Sequence, residues 1–278
     1  MAHQVGAALS NDESGDAEPA VGGGFGSRAS RLLRAGARAI ADVIVPPVCL
    51  ACKAPLCEHH ALCATCWGQV DFIRAPLCDR LGIPLTFDTG GVMISAGASS
   101  DPPDYDRARA VAAYHGVMRG LIHGFKYSDR HNARRLFGRW LVTAGETLIA
   151  ECDVAVPIPL NRWRLLHRRF NQSAILAMEV ARRTGIAHAP LALVRTKKTS
   201  RQVGLTLEER RQNVAGAFAV PERWLPAIAG RRVLLIDDVI TTGATANAAA
   251  RALKSAGAAR VDILALALVG HGTIHGSS

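Results

Sequence analysis

Aromatic residues are scarce: four Trp, three Tyr and seven Phe make up 5% of the 278 residues. Apart from Trp67, Phe72 and Phe170, which stand near basic stretches, the sequence offers no stacking platform, which weighs against nucleic-acid binding by base stacking but leaves phosphate contact open. Acidic charge is in deficit, with 23 Asp and Glu against 33 Lys and Arg, a net charge of +10. That surplus permits phosphate-bearing partners without choosing between nucleotide, nucleic acid and anionic lipid. No run approaches the ~18 unbroken apolar residues of a membrane-spanning helix, so no membrane span is expected. A basic start followed by an apolar run is missing, so no secretory signal is read and a cytoplasmic location is expected. Seven cysteines are few for a disulfide scaffold, and five of them fall within Cys49–Cys66, a clustering that suggests metal. No internal repeat is visible. What the chain does have is 49% apolar residues, enough to bury a core, which excludes a wholly disordered chain and fits one large or two smaller domains.

Residues 1–27, with Gly22-Gly23-Gly24 and few large apolar groups, read as a disordered tail. Between Ser27 and Val45, Arg28, Arg31, Arg34 and Arg38 alternate with Leu32, Leu33, Ile40, Val43 and Ile44 at helical period. Either a helix docking on the fold or an interfacial helix has this pattern. Pro46-Pro47 ends it, and a Cys-, Gly- and Pro-rich module runs to about Asp104, too poor in apolar runs for a core of its own. From Tyr105 to the end, strands expected at Arg109–His115, Asp153–Leu160, Arg232–Asp237 and Val261–Val269 alternate with helices at Val117–Tyr127, Ala133–Ala150, Ser173–Thr184 and Gly243–Ala256. Thr206-Leu207-Glu208-Glu209 fits a capping box opening one more helix. Near-continuous apolar strands alternating with helices predict an α/β fold with a parallel sheet covered on both faces. The expected organisation is a tail at 1–27, a helix plus cysteine module at 28–104, and the α/β domain at 105–278.

Cys49-x2-Cys52 and Cys63-x2-Cys66 are two knuckles separated by ten residues. Each presents two thiolates to one point, and two together close a tetrahedral four-cysteine zinc site. A disulfide pair or an iron–sulfur site would use the same cysteines, but neither a signal peptide nor a four-cysteine cluster run supports them. Four thiolates leave no open position for a substrate water, so the zinc is read as structural. Cys57, His59 and His60 are spare donors in the loop, and Cys78 and Cys152 read as packed cysteines.

Val233-Leu-Leu-Ile-Asp237-Asp238-Val-Ile-Thr241-Thr242-Gly243-Ala244-Thr245 runs from a hydrophobic strand through two carboxylates into a Thr/Gly turn and a helix. Backbone N–H groups and hydroxyls at a helix N-terminus suit a phosphate monoester, and Gly243 allows close approach. The carboxylates lie where open α/β sheets bind ligands, and would repel a phosphate unless they hold something else, ribose hydroxyls or Mg²⁺.

This string resembles the phosphoribosyl pyrophosphate (PRPP) loop of type I phosphoribosyltransferases. The resemblance implies that Asp237 and Asp238 hold the ribose hydroxyls, that Thr241, Thr242, Gly243, Ala244 and Thr245 cradle the 5′-phosphate, and that Mg²⁺ bridges diphosphate and ribose. With the two CxxC knuckles, DVAVPIPL, Arg168-Arg169-Phe170-Asn171-Gln172 and the Arg195–Phe218 segment, the chain from about Pro46 to Gly270 resembles the ComF family, whose members include competence protein F and GntX-like proteins. That family implies a zinc ribbon ahead of a type I phosphoribosyltransferase domain. It also implies either transfer of phosphoribosyl from PRPP to an acceptor (a pentosyl transfer), a non-catalytic role in DNA uptake with single-stranded DNA or uptake proteins as partners, or PRPP sensing. Neither acceptor nor oligomeric state is legible. Many relatives carry a second cysteine pair; here Cys78-Asp79-Arg80-Leu81-Gly82 stands in its place with no cysteine at Val92–Ser100, so one metal site and a metal-free second lobe are expected.

Arg168, Arg169 and Asn171, after the second strand, stand where the family binds diphosphate. Lys197, Lys198, Arg201 and Gln202 lie where these enzymes carry a closing loop, which would exclude water from an oxocarbenium-like state. Arg211, Asn213 and Phe218 read as anchors of that loop. Lys126-Tyr127 in HGFKYSDR also matches the family, with a basic group that faces either the site or the solvent.

Overall fold

The structure, a computed structural model, describes residues 46–127, 133–160, 170–196 and 216–270. The expected tail, the amphipathic helix, the capping box at Thr206 and the closing loop lie outside these residues. The chain divides between Pro46 and Pro47, and Pro47–Ser278 forms one compact unit.

In chain order the elements are α1 (Ala64–Gly68), α2 (Ala96–Ser100), β1 (Arg107–Ala113), α3 (Gly116–Tyr127), α4 (Ala133–Ala144), α5 (Glu146–Glu151), β2 (Val154–Pro157), α6 (Gln172–Thr184), β3 (Ala187–His188), β4 (Val194–Arg195), β5 (Phe218–Ala219), α7 (Leu225–Ile228), β6 (Arg232–Ile240), α8 (Ala244–Ser255) and β7 (Arg260–Leu268). Among the described residues one sheet has the order β1-β7-β6-β2-β3 with every pairing parallel, and β4 and β5 form a separate antiparallel ribbon. Both faces are covered, which is why the strands read as apolar runs without alternation. Val233, Leu235 and Ile263 pack with Ala249 and Leu253 of α8, whereas Leu234, Ile236 and Leu264 pack with Ile122 and Phe125 of α3, Phe137 of α4 and Leu176 of α6.

The expected continuous helix Ala133–Ala150 is two helices, interrupted at Gly145. A Cβ there would stand 2.5 Å from the Leu264 side chain, so the junction rests directly on β7. Helix α6 ends as the sequence predicts: Gly185 adopts φ +78 and its N–H bonds the Ala181 carbonyl.

The cysteine-rich module does contain an internal repeat, although none is visible in the sequence. In the first knuckle Val48 bridges Pro55, and N–H groups of Cys49, Lys53 and Leu56 bond the carbonyls of Ala54, Cys49 and Pro47. In the second, Leu77 bridges Pro84, and Cys78, Gly82 and Leu85 bond Ile83, Cys78 and Pro76, the same pattern 29 residues on. Lys53 and Gly82 occupy the same left-handed position, at φ 69 and 66. Ser95 caps α2 and donates its N–H to Cys78 Sγ at 3.2 Å, as Cys63 caps α1 and donates to Cys49 Sγ at 3.4 Å. Leu81, Ser95 and Ala98 thus stand where the first lobe has Cys52, Cys63 and Cys66. Leu81 and the buried Ala98 fill the second lobe with carbon instead of metal ligands.

The module covers the free edge of β1. Ile73 N–H bonds Val111 O at 3.0 Å, Ala113 N–H bonds Asp71 O at 2.9 Å, and Arg109 pairs with Asp79 at 2.6 Å. Leu50 and Val70 join the core on the α3 side of the sheet, which supplies the burial that the module lacks by itself.

Gly82 is where the second lobe meets β1: a Cβ would lie 2.5 Å from the Ala108 carbonyl oxygen, on backbone already at positive φ. Gly82→Ala should cost ~2–4 kcal/mol in urea unfolding, combining left-handed strain with a backbone clash. Gly97→Ala, an exposed helical site with open space around it, should be neutral or stabilising.

Candidate functional site

Two sites emerge, a thiol cluster and an acidic strand end. The ligand atoms of Cys49, Cys52, Cys63 and Cys66 all lie within 4.8 Å of one another. The Cys52–Cys63 sulfur separation is 3.7 Å, close to the ~3.8 Å edge of a tetrahedron with Zn–S near 2.3 Å. Cys57, His59 and His60 are not in this group. Burial opposes ionisation of Cys49, but N–H groups of Cys63, Cys52 and Ala51 hold its thiol down to about 6. Burial and the neighbouring sulfurs of Cys63, Cys52 and Cys49 push Cys66 up to about 12. One thiolate is therefore ready near neutrality, while Cys66 needs a dication to draw off its proton, which suits a zinc site. In the second lobe, burial pushes Cys78 up but hydrogen bonds from Ser95, Leu81 and Arg80 prevail and lower it, so the sulfur keeps its N–H partners without a metal.

Strand β6 is longer than predicted and includes both acids. Its pairing with β2 ends at Pro157↔Ile236, whereas its pairing with β7 continues to Ile240↔Leu268. Asp237 and Asp238 therefore sit where one neighbouring strand has stopped, opening a crevice at the carboxyl end of the sheet. Asp237 Oδ1 accepts from Ser173 Oγ at 3.1 Å and from the Asp238 N–H at 2.8 Å. Burial, then the charge of Asp238, push the Asp237 carboxyl up to about 7 despite these bonds. Asp238 Oδ2 is paired with Lys126 Nζ at 2.8 Å, both side chains 15% exposed.

Beyond the strand, Thr241 and Thr242 are exposed, Gly243 and Ala244 are buried and Thr245 is half-buried. Gly243 stands at φ +74 as the residue before α8, and its lack of a side chain means that the cap residue makes no side-chain bond to the first turn, a helix start of the kind that suits an anion. A Cβ at Gly243 would meet nothing closer than 3.8 Å, so glycine is needed for its backbone angle and not for space.

Asn171 is committed to the fold: its side chain accepts from Ser173 N–H at 3.1 Å and donates to Ile158 O at 3.0 Å, capping α6 and tying it to the end of β2. Arg168, Arg169, Lys197, Lys198, Arg201, Gln202, Arg211 and Asn213 lie outside the described residues. Phe218 is buried in β5 with the Arg195 guanidinium 5.1 Å from its ring centroid. Sequence reasoning missed Ser173, and it left Lys126 undecided between site and surface; the motif HGFKYSDR held the signal for Lys126, whereas a serine in a helix's first turn carries none. The sequence also undervalued Trp67 and Phe72. With Trp140 their ring centroids lie 5.0–5.6 Å apart, along a cleft of about 1030 Å³ that Arg74, Arg109, Asp79, Asp88 and Glu146 also line.

A parallel sheet with an acid pair at the end of β6, a bare helix start after it and a four-thiolate ribbon ahead of it defines a phosphoribosyltransferase-fold protein with an N-terminal zinc ribbon. The double zinc ribbon domain matches residues 40–97 and the phosphoribosyl transferase domain matches residues 171–277. The chain is 30% identical to the DNA utilization protein YhgH of Escherichia coli (strain K12) over 228 residues, 80% of this chain and 97% of that protein. It is 28% identical to competence protein F of Haemophilus influenzae over 227 residues, 79% and 96% of the two chains. Competence protein ComFC of Bacillus subtilis is 30% identical over 158 residues, 54% of this chain and 59% of that one. The chain belongs to this ComF family of competence and DNA utilization proteins.

Purified protein should carry one equivalent of zinc by elemental analysis, and Cys63→Ser should lose it and destabilise the first lobe; two equivalents would show that the second lobe also binds metal.

The two acids should respond oppositely to neutralisation. A carboxyl raised in the folded state stabilises below its unfolded value near 4, and that contribution is lost as pH rises through about 7. Asp237→Asn should therefore hold or raise stability at pH 8, with the gain vanishing below pH ~5. Asp238→Asn should cost ~1–3 kcal/mol by stranding the Lys126 ammonium in a half-buried site. Thermal unfolding of both variants at pH 5 and 8 checks the pair.

Proposed function

We propose that the protein binds PRPP with Mg²⁺ at the end of β6 and transfers its phosphoribosyl group to an acceptor. The observation that carries this is the acid pair beside a helix start with no side-chain cap. In this reading Asp237 and Asp238 accept from the ribose hydroxyls, and Thr241 to Thr245 hold the 5′-phosphate against the N-terminus of α8. Mg²⁺, when bound, offsets the charge of diphosphate and carboxylates. The bond from the ribose anomeric carbon to diphosphate breaks, diphosphate leaves with the electron pair, and the acceptor's nucleophilic atom bonds the same carbon. Arg168 and Arg169 are the proposed diphosphate contacts, and Lys197, Lys198, Arg201 and Gln202 the proposed closing loop. Asn171 contributes by fixing the start of α6, whose Ser173 orients Asp237. The zinc ribbon serves as structure, and a four-thiolate site fits a reducing, cytoplasmic setting.

A second reading rests on a separate observation. Relatives are named for competence and DNA utilization, and Trp67, 47% exposed, heads the aromatic cluster along the cleft. Single-stranded DNA stacking there would let the protein handle DNA while the β6 pocket senses PRPP.

Isothermal titration with PRPP and Mg²⁺ should give a saturable signal that Asp237→Asn/Asp238→Asn abolishes, followed by acceptor-dependent release of diphosphate across a panel of amines and bases. Unchanged affinity in the double variant would overturn the ribose assignment. PRPP binding without turnover, together with quenching of Trp67 fluorescence by a short oligonucleotide, would favour the second reading over transfer.

A further inference from the structure

The acid pair poses an electrostatic problem for PRPP. Its diphosphate must be held close to two carboxylates, and dipoles at the 5′-phosphate turn act on the far end of the ligand. Among the described residues, Lys126 is the cation paired with either carboxylate, its Nζ 2.8 Å from Asp238 Oδ2. It is not a solvated surface lysine, since its side chain is only 15% exposed.

Its location is set by two helices. Lys126 occupies the last turn of α3, and its carbonyl accepts from Gln172 Nε2 at 3.3 Å. Gln172 is the first residue of α6, and Ser173 next to it donates to Asp237. The lysine thus reaches the acid pair from α3, tied to the start of α6, at the level where the pairing of β6 with β2 has ended. The 5′-phosphate turn instead follows β6 itself. A ribose laid across the acids with its 5′ end in that turn directs its anomeric substituent away from the turn.

We propose that Lys126 receives the diphosphate of PRPP while keeping its bond to Asp238, and so selects PRPP over ribose 5-phosphate. An ammonium has three donors and Asp238 takes one, leaving two for phosphate oxygens. A carboxylate has about four acceptor sites, so Asp238 serves the lysine and a ribose hydroxyl together. The residue therefore aligns the acid and the leaving group. This inference rests on the PRPP reading of the β6 pocket.

The test is titration of the full chain with PRPP–Mg²⁺ and, separately, with ribose 5-phosphate. Lys126→Met should weaken PRPP about tenfold or more and shift ribose 5-phosphate by less than about threefold, and Lys126→Arg should recover most of the PRPP affinity. A merely structural lysine would change both ligands alike. If Lys126→Met does not fold, Lys126→Gln, which still donates to Asp238 but carries no charge, should show the same contrast. Equal loss for both ligands, or no loss for PRPP, overturns the role of Lys126 and leaves the PRPP reading standing. Wild-type protein that does not bind PRPP overturns both.

Discussion

The site depends on how β6 is gripped. Up to Ile236 the strand is hydrogen-bonded on both sides, to β2 and β7; beyond it only β7 continues. This unequal support lets two adjacent carboxylates leave the core without leaving the sheet. Burial at this strand end, and then the charge of Asp238, raise the Asp237 carboxyl, while an ion pair with Lys126 holds Asp238. Ser173, Lys126 and Gln172 all reach this point from helices packed on the α3 face of the sheet, so the packing of that face also sets the chemistry of the strand end.

The sheet was largely legible because its strands are buried on both faces, and a short unbroken apolar run between turn residues is the mark such a strand leaves in a sequence. RVLLID and VDILALALV announced the two central strands, and Gly185 announced the end of α6. What escaped has a physical reason in each case. β3 is two residues, Ala187 and His188, and has no pattern to read. At the break the chain passes so close to Leu264, more than a hundred residues away in sequence, that a Cβ on residue 145 would collide with it, a contact that only the tertiary fold defines. β6 outran its predicted end because pairing with β7 carries polar residues that propensity would end a strand at. The acid pair and its turn were legible as chemistry, and HGFKYSDR pointed to Lys126, whereas its pairing with Asp238 is a tertiary contact made across more than a hundred residues.

The ribbon shows the same division between local and tertiary information. Its four metal ligands follow from spacing alone. The repeat, offset by 29 residues at the knuckles and by 32 at the capped helices, was hidden because the second copy keeps the backbone hydrogen bonds while Leu81, Ser95 and Ala98 stand at three of the four cysteine positions. Hydrogen bonds to Cys78 Sγ and a left-handed residue at Gly82 hold the shape without an ion.

That replacement separates two duties that a pair of metal lobes would share. The carbon-filled lobe, through Gly82 and Asp79, lies against the open edge of β1, while the thiolate lobe reaches the core through Leu50. An exposed parallel edge invites pairing with another chain, and its guard here does not depend on an ion. Loss of zinc would therefore loosen the thiolate lobe while the carbon-filled lobe stayed against β1 through Gly82 and the Arg109–Asp79 pair.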